Sequence, residues 1–292
     1  MPAIIVLADH TGRLGNKLIL FAHVIAAARE FGSRVVNLSI LPAAKYFAGL
    51  YLNPLGTYPN LVLPIDVSWL FRAFRKPIQI WVRRKRIKPL RKNRWVKILD
   101  MENKPIYFLE SPEFASLVKR YKVIFLWGYS FRCPGLVRKH AATLRDFFKI
   151  RPQIAPQIET RFRELIGEGK EIIAAHIRQG DFKTWNNGRF FVPANRFEKS
   201  LKKGGWIPGA SNQSWWICSD EIVSEAFSDK SIQNQTPRNL GEDLFIMTNA
   251  DVLFAGYSTL SAFCGFLADK KFFQVSSEDA APVMVIPDNL LN

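Results

Sequence analysis

Charged and polar side chains follow a short apolar run in the second half of the chain. The run Glu171–Ile177 predicts a buried strand, and His176 and Arg178 lie two residues apart where it ends. Residues two apart point to the same side of an extended chain, and an arginine guanidinium can bind a phosphate through paired hydrogen bonds. The pattern therefore favours an anion-binding site at this strand end. The alternative is that Arg178 forms a local salt bridge with Asp181.

Two glycines mark a second cluster near the start of the chain. The apolar run Ala3–Ala8 predicts a strand, the polar stretch Asp9–Asn16 a loop, and Leu18–Phe31 a helix. Gly12 and Gly15 let the backbone approach a ligand, and the helix N-terminus behind them offers N–H groups to an anion. The stretch fits neither the dinucleotide fingerprint nor the Walker pattern. An ordinary strand-to-helix turn is the alternative interpretation.

Two further clusters stand at the start of predicted helices. Glu242 and Asp243 precede an apolar stretch, and Ser258, Thr259 and Ser261 open another helix. Hydroxyl groups beside the N–H groups of a helix start can seat a phosphate. The alternatives are acidic residues that favour the helix dipole and simple N-capping by serine or threonine.

Several other chemistries lack support in the sequence. It contains no D-x-D triplet for a metal-bridged diphosphate and no G-x-S-x-G for a hydrolase nucleophile, and its histidines have no metal-ligand spacing. We therefore expect no metal. Cys133, Cys218 and Cys264 are widely spaced in apolar surroundings, which indicates reduced core cysteines and a cytoplasmic protein. No apolar run is long enough to cross a bilayer.

Alternating strands and helices predict an α/β protein with parallel sheets. Residues 53–70 are expected to form a loop because they carry three prolines, and Pro152 and Pro156 place a domain boundary near residue 150. We expect two Rossmann-like domains, 1–150 and 151–292, whose sheets face a central cleft. The other predicted strands are Arg34–Leu38, Lys122–Trp127, Ser214–Cys218, Val252–Ala255 and Lys271–Val275, and the other predicted helices are Gly135–Ile150, Gln157–Ile166, Asp243–Asn249 and Thr259–Ala268.

The formal charge of +16 is concentrated in one segment. Residues 1–150 carry 26 basic and 8 acidic side chains, whereas residues 151–292 carry 15 and 17. The stretch Phe71–Ile98 alone holds 12 basic residues and no acidic one, and aromatic residues are interleaved through segment 69–98. This segment could bind nucleic acid, lie on an anionic membrane, or form a solvated surface insertion. The near-neutral second half argues against nucleic acid, because a nucleic-acid binder should spread basic residues over the cleft.

Five segments, in the same order along the chain, resemble motifs of the α-1,2-fucosyltransferases (glycosyltransferase family 11), which have the GT-B architecture. The family's G-x-L-G-N-Q is similar to Gly12–Lys17, its G-Y before a helix to Gly128-Tyr129, and its H-x-R-R-x-D to His176–Asp181. Its F-S-D-D resembles Ile217–Glu221, and its D-x-x-x-M-S with the serine-rich stretch after it resembles Asp243–Ser261. The resemblance covers nearly the whole chain.

This resemblance implies an inverting, metal-independent glycosyltransferase without a cofactor, which moves fucose from GDP-fucose to a hydroxyl of a glycan or lipid-linked glycan. Residues 151–292 would bind the donor and residues 1–150 the acceptor. Arg178 would hold the diphosphate and stabilise the departing GDP, His176 would contact the nucleotide, and Asp243 would accept hydrogen bonds from guanine. The residues that complete the implied site are Gly12, Gly15, Asn16, Ser258, Thr259 and Ser261.

The resemblance leaves the catalytic base open. Asp181, Asp9 and His10 are the candidates, because a base must reach the acceptor hydroxyl, and Asp181 is more simply a structural partner of Arg178. Together with Arg178 and Asp181, we take Asn16 as a candidate catalytic residue.

Two departures from the family pattern concern charge. Gln179 stands where the family has a second arginine, and Lys17 stands where it has glutamine. One alternative is therefore a glycosyltransferase that uses another nucleotide sugar, and an alternative of a different class is a nucleic-acid-binding α/β protein. Lipid-linked acceptors favour the membrane interpretation of segment 69–98, with the protein peripheral to the cytoplasmic membrane face.

Overall fold

The computed structural model of the chain describes residues 2–8, 12–51, 53, 55–60, 68–87, 95–208, 211–223, 227, 232–233, 239–276 and 280–291; of residues 68–75, 86–87 and 232–233 it describes the backbone alone. The chain divides into two compact units. Unit 1 is Met1–Lys149 with Leu291–Asn292, and unit 2 is Ile150–Leu290. Each contains a mainly parallel sheet with helices, so the expected α/β class is confirmed.

Unit 1 is built on a five-stranded sheet and also contains a two-stranded sheet. Its strands are β1 Ile4–Leu7, β2 Arg34–Asn37, β3 Thr57–Tyr58, β4 Val96–Asp100, β5 Tyr107–Phe108, β6 Val123–Trp127 and β7 Phe131–Arg132. Its helices are α1 Leu14–Glu30, α2 Ser68–Ile87, α3 Pro112–Arg120, α4 Pro134–Lys139 and α5 Ala141–Phe147. The order of the five-stranded sheet is β3-β2-β1-β6-β4, and every pair in it is parallel except β2 with β3. Strands β5 and β7 form the separate two-stranded sheet.

Helix α1 is buried along most of its length, because apolar residues cover all its faces over Leu18–Ala28. It begins one turn earlier than expected, at Leu14, so Gly15 and Asn16 lie in its first turn and not in a loop. Gly12 has φ +79°, and a Cβ there would lie 3.0 Å from Cβ of Asn16. Glycine therefore lets the turn before the helix close onto the Asn16 side chain.

A buried histidine of α1 holds the end of the chain in unit 1. The backbone N–H of Cys133 donates to Nδ1 of His23 at 3.0 Å, and Nε2 of His23 donates to the backbone oxygen of Leu291 at 2.7 Å. Burial, and secondly the charge of Arg132, lower the pKa of His23 to about 4. The ring is therefore neutral near pH 7, and its two partners fix the proton on Nε2.

The expected loop over residues 53–70 is wrong in part. Thr57 and Tyr58 form β3, because they pair antiparallel with Val36 and Val35 of the neighbouring strand. Helix α2 also begins inside this range, at Ser68. The prolines therefore limit the length of the strand without preventing its pairing.

The single helix expected over Gly135–Ile150 is also wrong. It is two helices, α4 and α5, separated at His140, whose backbone is not helical (φ −109°, ψ 18°). Nε2 of His140 lies 2.9 Å from a carboxylate oxygen of Glu30, which also pairs with Lys139. Lys139 and His140, at the junction of α4 and α5, therefore both contact the last residue of α1.

The basic segment is part of unit 1 and not an appendage to it. Helix α2 packs on the sheet through Val82, which is fully buried against Ala8 and Trp127. The end of segment 69–98 enters the sheet as the first residues of β4. Among the described residues no helix is both long enough and apolar enough to span a membrane.

Unit 2 is built on a six-stranded sheet. Its strands are β8 Glu171–Ile177, β9 Gln213–Ser219, β10 Ile232–Gln233, β11 Val252–Ala255, β12 Lys271–Gln274 and β13 Val283–Val285, and its helices are α6 Pro156–Gly167, α7 Ala194–Lys203, α8 Leu240–Asn249 and α9 Thr259–Ala268. The order is β10-β9-β8-β11-β12-β13, and every pair is parallel except β12 with β13. The bounds expected for β8, β11 and α9 are confirmed.

The middle of this sheet determines where the candidate residues meet. Strand β8 lies between β9 and β11, with His176 opposite Cys218 on one side and Ala255 on the other. Because the three strands are parallel, the residues that follow each of them lie at the same sheet edge. Open α/β sheets bind ligands at this edge.

Candidate functional site

Two of the sequence clusters meet at the carboxyl edge of the unit 2 sheet. His176, in β8, is 5% exposed and Ser261, in the first turn of α9, is fully buried. Nδ1 of His176 lies 2.5 Å from Oγ of Ser261. Burial lowers the pKa of His176 to about 4, and the nearby charge of Asp220 opposes this shift. His176 is therefore neutral near pH 7 and can offer a ligand a hydrogen bond but not a positive charge.

Arg178 lies between two carboxylates. Its Nε and Nη2 donate to Oδ1 of Asp181 at 3.0 and 2.7 Å, and Nε lies 3.3 Å from Oδ2 of Asp220. The local salt bridge with Asp181 that the sequence left open is thus present. Within the described part of the chain Nη1 makes no hydrogen bond, so these two N–H donors remain for a ligand.

Gln179 is directed into unit 2. It is 7% exposed, and its Nε2 donates to the backbone oxygen of Val192 at 2.9 Å. Its backbone N–H donates to Oδ1 of Asp220 at 2.7 Å. At the next residue, Gly180, a Cβ would lie 2.7 Å from the other Asp220 oxygen, so a side chain there would displace this carboxylate. Residues 179 and 180 therefore fix the carboxylate that lies beside Arg178.

The N-terminus of α9 lies at the same edge. Ser258 is its N-cap residue, and its side chain makes no capping hydrogen bond. Ser258 is partly buried and Thr259 is exposed, whereas Ser261 is enclosed. The first N–H groups of a helix have no partner within the helix and carry its positive dipole end. Ser258 and Thr259 are thus accessible to an anion, whereas Ser261 forms a hydrogen bond with His176 in the interior.

Asp243 lies in the first turn of α8, a helix that packs against α9. The helix starts with a capping box in which Asn239 and Glu242 satisfy each other's backbone N–H groups. Burial, and secondly the negative charge of Asp243, raise the pKa of the Cys264 thiol in α9. Asp243 is therefore close to α9, and Cys264 remains a thiol near pH 7.

A small hollow opens beside His176 and Arg178. It holds about 200 Å³ of empty space, and the residues that line it are His176, Ile177, Arg178, Phe182, Phe190, Val192, Phe197, Gly256 and Tyr257. All of them come from β8, the loop after it, α7 or the turn between β11 and α9. The hollow combines one arginine with mainly apolar and aromatic walls, as ligand sites commonly do.

The remaining candidates belong to unit 1. Gly12 and Lys17 flank the start of α1, and Gly15 and Asn16 form part of its first turn. Asp9 and His10, two of the candidates for a catalytic base, lie outside the described residues. Among the described residues, no group of three or more His, Cys, Asp or Glu side chains could hold a metal ion.

Sequence reasoning missed two features of the unit 2 site. Asp220 lies in the segment Ile217–Glu221 that resembles a family motif, but the sequence assigns it no role in the site. Because β9 is the neighbour of β8, Asp220 lies at the same sheet edge as Arg178. The aromatic residues that follow Asp181 were not singled out. Their signal was the density of large rings between Phe182 and Phe190, in a stretch that does not alternate as a strand would.

The fold of the chain is similar to that of several solved structures. No family model matches the chain, and no curated protein matches it in sequence. Among solved structures, the chain is similar to a mutant of FUT1 from Arabidopsis thaliana in complex with GDP, with 10% identity, a TM-score of 0.63, and 97% of this chain and 74% of that chain covered. It is similar to the fucosyltransferase NodZ from Bradyrhizobium, with 12% identity, a TM-score of 0.53, and 98% and 99% covered.

A third similar structure is POFUT1 in complex with GDP, with 13% identity, a TM-score of 0.51, and 96% of each chain covered. All three neighbours are fucosyltransferases. The likeness extends over nearly the whole chain, as did the motifs in the sequence. The chain therefore has an α/β fold similar to that of the GT-B fucosyltransferases.

Proposed function

We propose that this protein transfers fucose from GDP-fucose to a hydroxyl of a glycan. The observation that carries the proposal is the hydrogen bond between His176 and Ser261, because it joins two motifs that are 85 residues apart in sequence. With Arg178 beside them, these motifs place a guanidinium and a helix N-terminus at one sheet edge. The fold similarity to fucosyltransferases, two of them solved with GDP, supports the same donor.

The chemistry is a single displacement at C1 of the sugar. The acceptor oxygen forms a bond to C1 as the bond from C1 to the diphosphate oxygen breaks, and GDP leaves with the electron pair. The acceptor proton passes to a base, for which Asp181, Asp9 and His10 are the candidates. Attack from the opposite side inverts the configuration at C1. No step in this scheme requires a metal ion.

Negative charge grows on the leaving diphosphate, so the protein must supply positive charge there. In the proposal, Nη1 of Arg178 and the N–H groups at the start of α9 bind the diphosphate, with the hydroxyl groups of Ser258 and Thr259. Asp181 and Asp220 hold the guanidinium in place but also offset its charge. The helix N-terminus is therefore as important to the proposed site as the arginine.

The nucleoside would lie against the other residues of this edge. His176 contacts the nucleotide as a neutral donor or acceptor, and Asp243 accepts hydrogen bonds from the N–H groups of guanine. Gly12, Gly15 and Asn16 contribute from the start of α1. A donor other than GDP-fucose is the second candidate, because Gln179 places no positive charge in the position where the similar motif has arginine.

A thermal-shift experiment with GDP, UDP and ADP tests the donor. A ligand that binds only the folded state stabilises it by about 2.7 kcal/mol at a hundredfold excess over its dissociation constant. We expect GDP to raise the melting temperature and UDP and ADP to have little effect. Arg178→Ala should remove both the shift and the transfer of fucose while the unliganded protein stays folded. A shift with UDP or ADP and none with GDP would exclude GDP-fucose as donor.

We also propose that the acceptor glycan is lipid-linked and that α2 contacts an anionic membrane. Over its 20 residues α2 carries seven basic and no acidic side chains. Besides the buried Val82, its described side chains include the exposed Ile80, Arg83 and Arg84, and Trp81, which is 39% exposed and whose ring centroid lies 5.7 Å from that of Phe125 in β6. Apolar and basic side chains exposed together on one helix suit an anionic lipid surface. The protein would then be peripheral to the cytoplasmic face of the membrane.

A further inference from the structure

Four aromatic side chains form a continuous row beside Arg178. Phe182 stacks on Trp185 with ring centroids 5.4 Å apart, Trp185 lies 5.4 Å from Phe190, and Phe190 lies 5.2 Å from Tyr257. The guanidinium carbon of Arg178 lies 5.7 Å from the centroid of Phe182. The row therefore begins at the residue proposed to hold the diphosphate and continues along the loop after β8.

The rings are not core residues. Trp185 is 53% exposed and Tyr257 38% exposed, while Phe182 and Phe190 are partly buried. Three of the four line the hollow of about 200 Å³. Large aromatic surface left accessible beside a pocket commonly marks a ligand-binding surface, because burial would otherwise be favourable.

The backbone holds the row in a defined position. Asn186, Asn187 and Gly188 have φ values of +49°, +56° and +72°, a left-handed run that turns the chain back immediately after Trp185. Asparagine is among the few residues with a side chain that adopt this region readily. Two backbone hydrogen bonds close the turn. The N–H of Arg189 donates to the backbone oxygen of Asn186, and the N–H of Phe191 donates to the backbone oxygen of Gly188. Trp185 is therefore presented on an ordered turn.

We propose that Trp185 and Tyr257 bind a pyranose ring of the acceptor glycan. One face of a pyranose consists of C–H groups, which carry a small positive charge and pack well on the electron-rich face of an aromatic ring. The ring edge carries hydroxyl groups that remain in water. Aromatic rings that are half exposed match such a ligand, whereas a fully apolar ligand would require closed walls.

The position of the row favours the acceptor over the donor. This inference rests on the proposed function, in which Arg178 marks the leaving group and thus the sugar carbon that the acceptor must reach. The acceptor ring must lie near that carbon, yet the rest of its glycan extends into solvent, as exposed Trp185 allows.

The test compares Trp185→Ala with Trp95→Ala in solution. Trp95 is 54% exposed and lies in unit 1, so its removal deletes an equally exposed ring far along the sequence from the row. The probes are free β-linked tetrasaccharides of glucose, galactose and N-acetylglucosamine, with binding followed by intrinsic fluorescence and by NMR saturation transfer. We expect at least one probe to bind, and Trp185→Ala to weaken it by about tenfold. Trp185→Phe should keep most of the affinity, and Trp95→Ala all of it.

The nucleotide is measured in parallel, so that the two proposals can fail separately. If GDP does not stabilise the wild-type protein, the proposed donor is wrong, while the tetrasaccharide titrations still report on the aromatic row. If no probe binds, or if Trp185→Ala binds as tightly as wild type, the acceptor assignment is overturned. The assignment is also overturned if Trp185→Ala loses the thermal shift with GDP but still binds the tetrasaccharide with wild-type affinity. The aromatic row would then bind the guanine of the nucleotide.

Discussion

Nδ1 of His176 and Oγ of Ser261 lie 2.5 Å apart inside unit 2, where both side chains are almost completely buried. The bond links the end of β8 to the first turn of α9. A polar pair enclosed at this depth must keep its hydrogen bond, because each partner would otherwise lose water without replacement. The relative position of the Arg178 strand end and the α9 N-terminus is therefore fixed before any ligand arrives.

The substitution Ser261→Ala should destabilise the protein by about 1–3 kcal/mol, because it leaves the buried Nδ1 of His176 without a partner. It should also weaken GDP binding. Urea unfolding measures the first effect and titration calorimetry the second. Ser258→Ala is the matched control, since the Ser258 side chain makes no capping bond, and its stability should equal that of wild type. Equal stability of Ser261→Ala and wild type would show that the bond contributes nothing.

The substitution Asp181→Asn should tighten GDP binding about fivefold. The amide oxygen can still accept from Arg178, but one negative charge beside the proposed diphosphate is removed. Glu221→Gln removes the same charge from a residue whose partner is Lys183, and it should have a smaller effect. Calorimetric titration with GDP gives both affinities. Weaker binding in Asp181→Asn would mean that the carboxylate positions Arg178 in a way the amide cannot.

The substitution Gln179→Arg recreates the arginine pair of the similar motif, yet it should harm the protein. Gln179 is enclosed and donates to the backbone oxygen of Val192, so an arginine there would place an unpaired charge in the interior. We expect a loss of several kcal/mol in the free energy of unfolding and no gain in GDP affinity. Methionine is uncharged and of similar length, so Gln179→Met should lower the free energy of unfolding by less than Gln179→Arg does. Tighter GDP binding by Gln179→Arg would contradict this placement.

Acid should destabilise the protein through the buried side chains of His23 and His176. Burial lowers the pKa of His23 and of His176 to about 4, below the ordinary value of 6.5. The unfolded chain therefore takes up protons first, and stability that is complete above pH 6.5 is lost as the pH falls towards 4. At pH 5 the loss is roughly 2 kcal/mol for each histidine.

Urea unfolding at pH 7.5, 6 and 5 measures this loss. His23→Gln removes one of the two titrating groups and keeps a donor for Leu291, so its stability should fall about half as much between pH 7.5 and 5. A wild-type stability that is independent of pH over this range would show that neither histidine is held neutral by the fold.

The protein should bind vesicles that contain phosphatidylserine and should leave them as the salt concentration rises. The double substitution Arg83→Glu with Arg84→Glu should abolish this binding. Lys199→Glu with Lys203→Glu reverses the same number of exposed charges on α7, and these changes should leave binding intact. Co-sedimentation with neutral and anionic vesicles provides the measurement. Equal loss of binding in both double variants would indicate attraction by net charge alone, without a role for α2.

Much of unit 2 was predictable from the sequence. The bounds of β8, β11 and α9 agree with expectation, because each is an apolar run of suitable length bounded by polar or glycine residues. The structure of the basic segment 69–98 was harder to predict from the sequence. Its charges dominate the sequence pattern, whereas Val82 and the few residues buried with it decide that α2 packs on the sheet.

The sequence by itself determined the α/β class, the strand ends that carry His176 and Arg178, and the fold resemblance. Local periodicity and turn residues encode these features within a few positions. Tertiary structure alone decided that Asp220 holds Arg178, that Gln179 faces inward, and that the aromatic row ends at Tyr257. These relationships depend on which strands become neighbours in the sheet, and parallel neighbours can be separated by any length of chain.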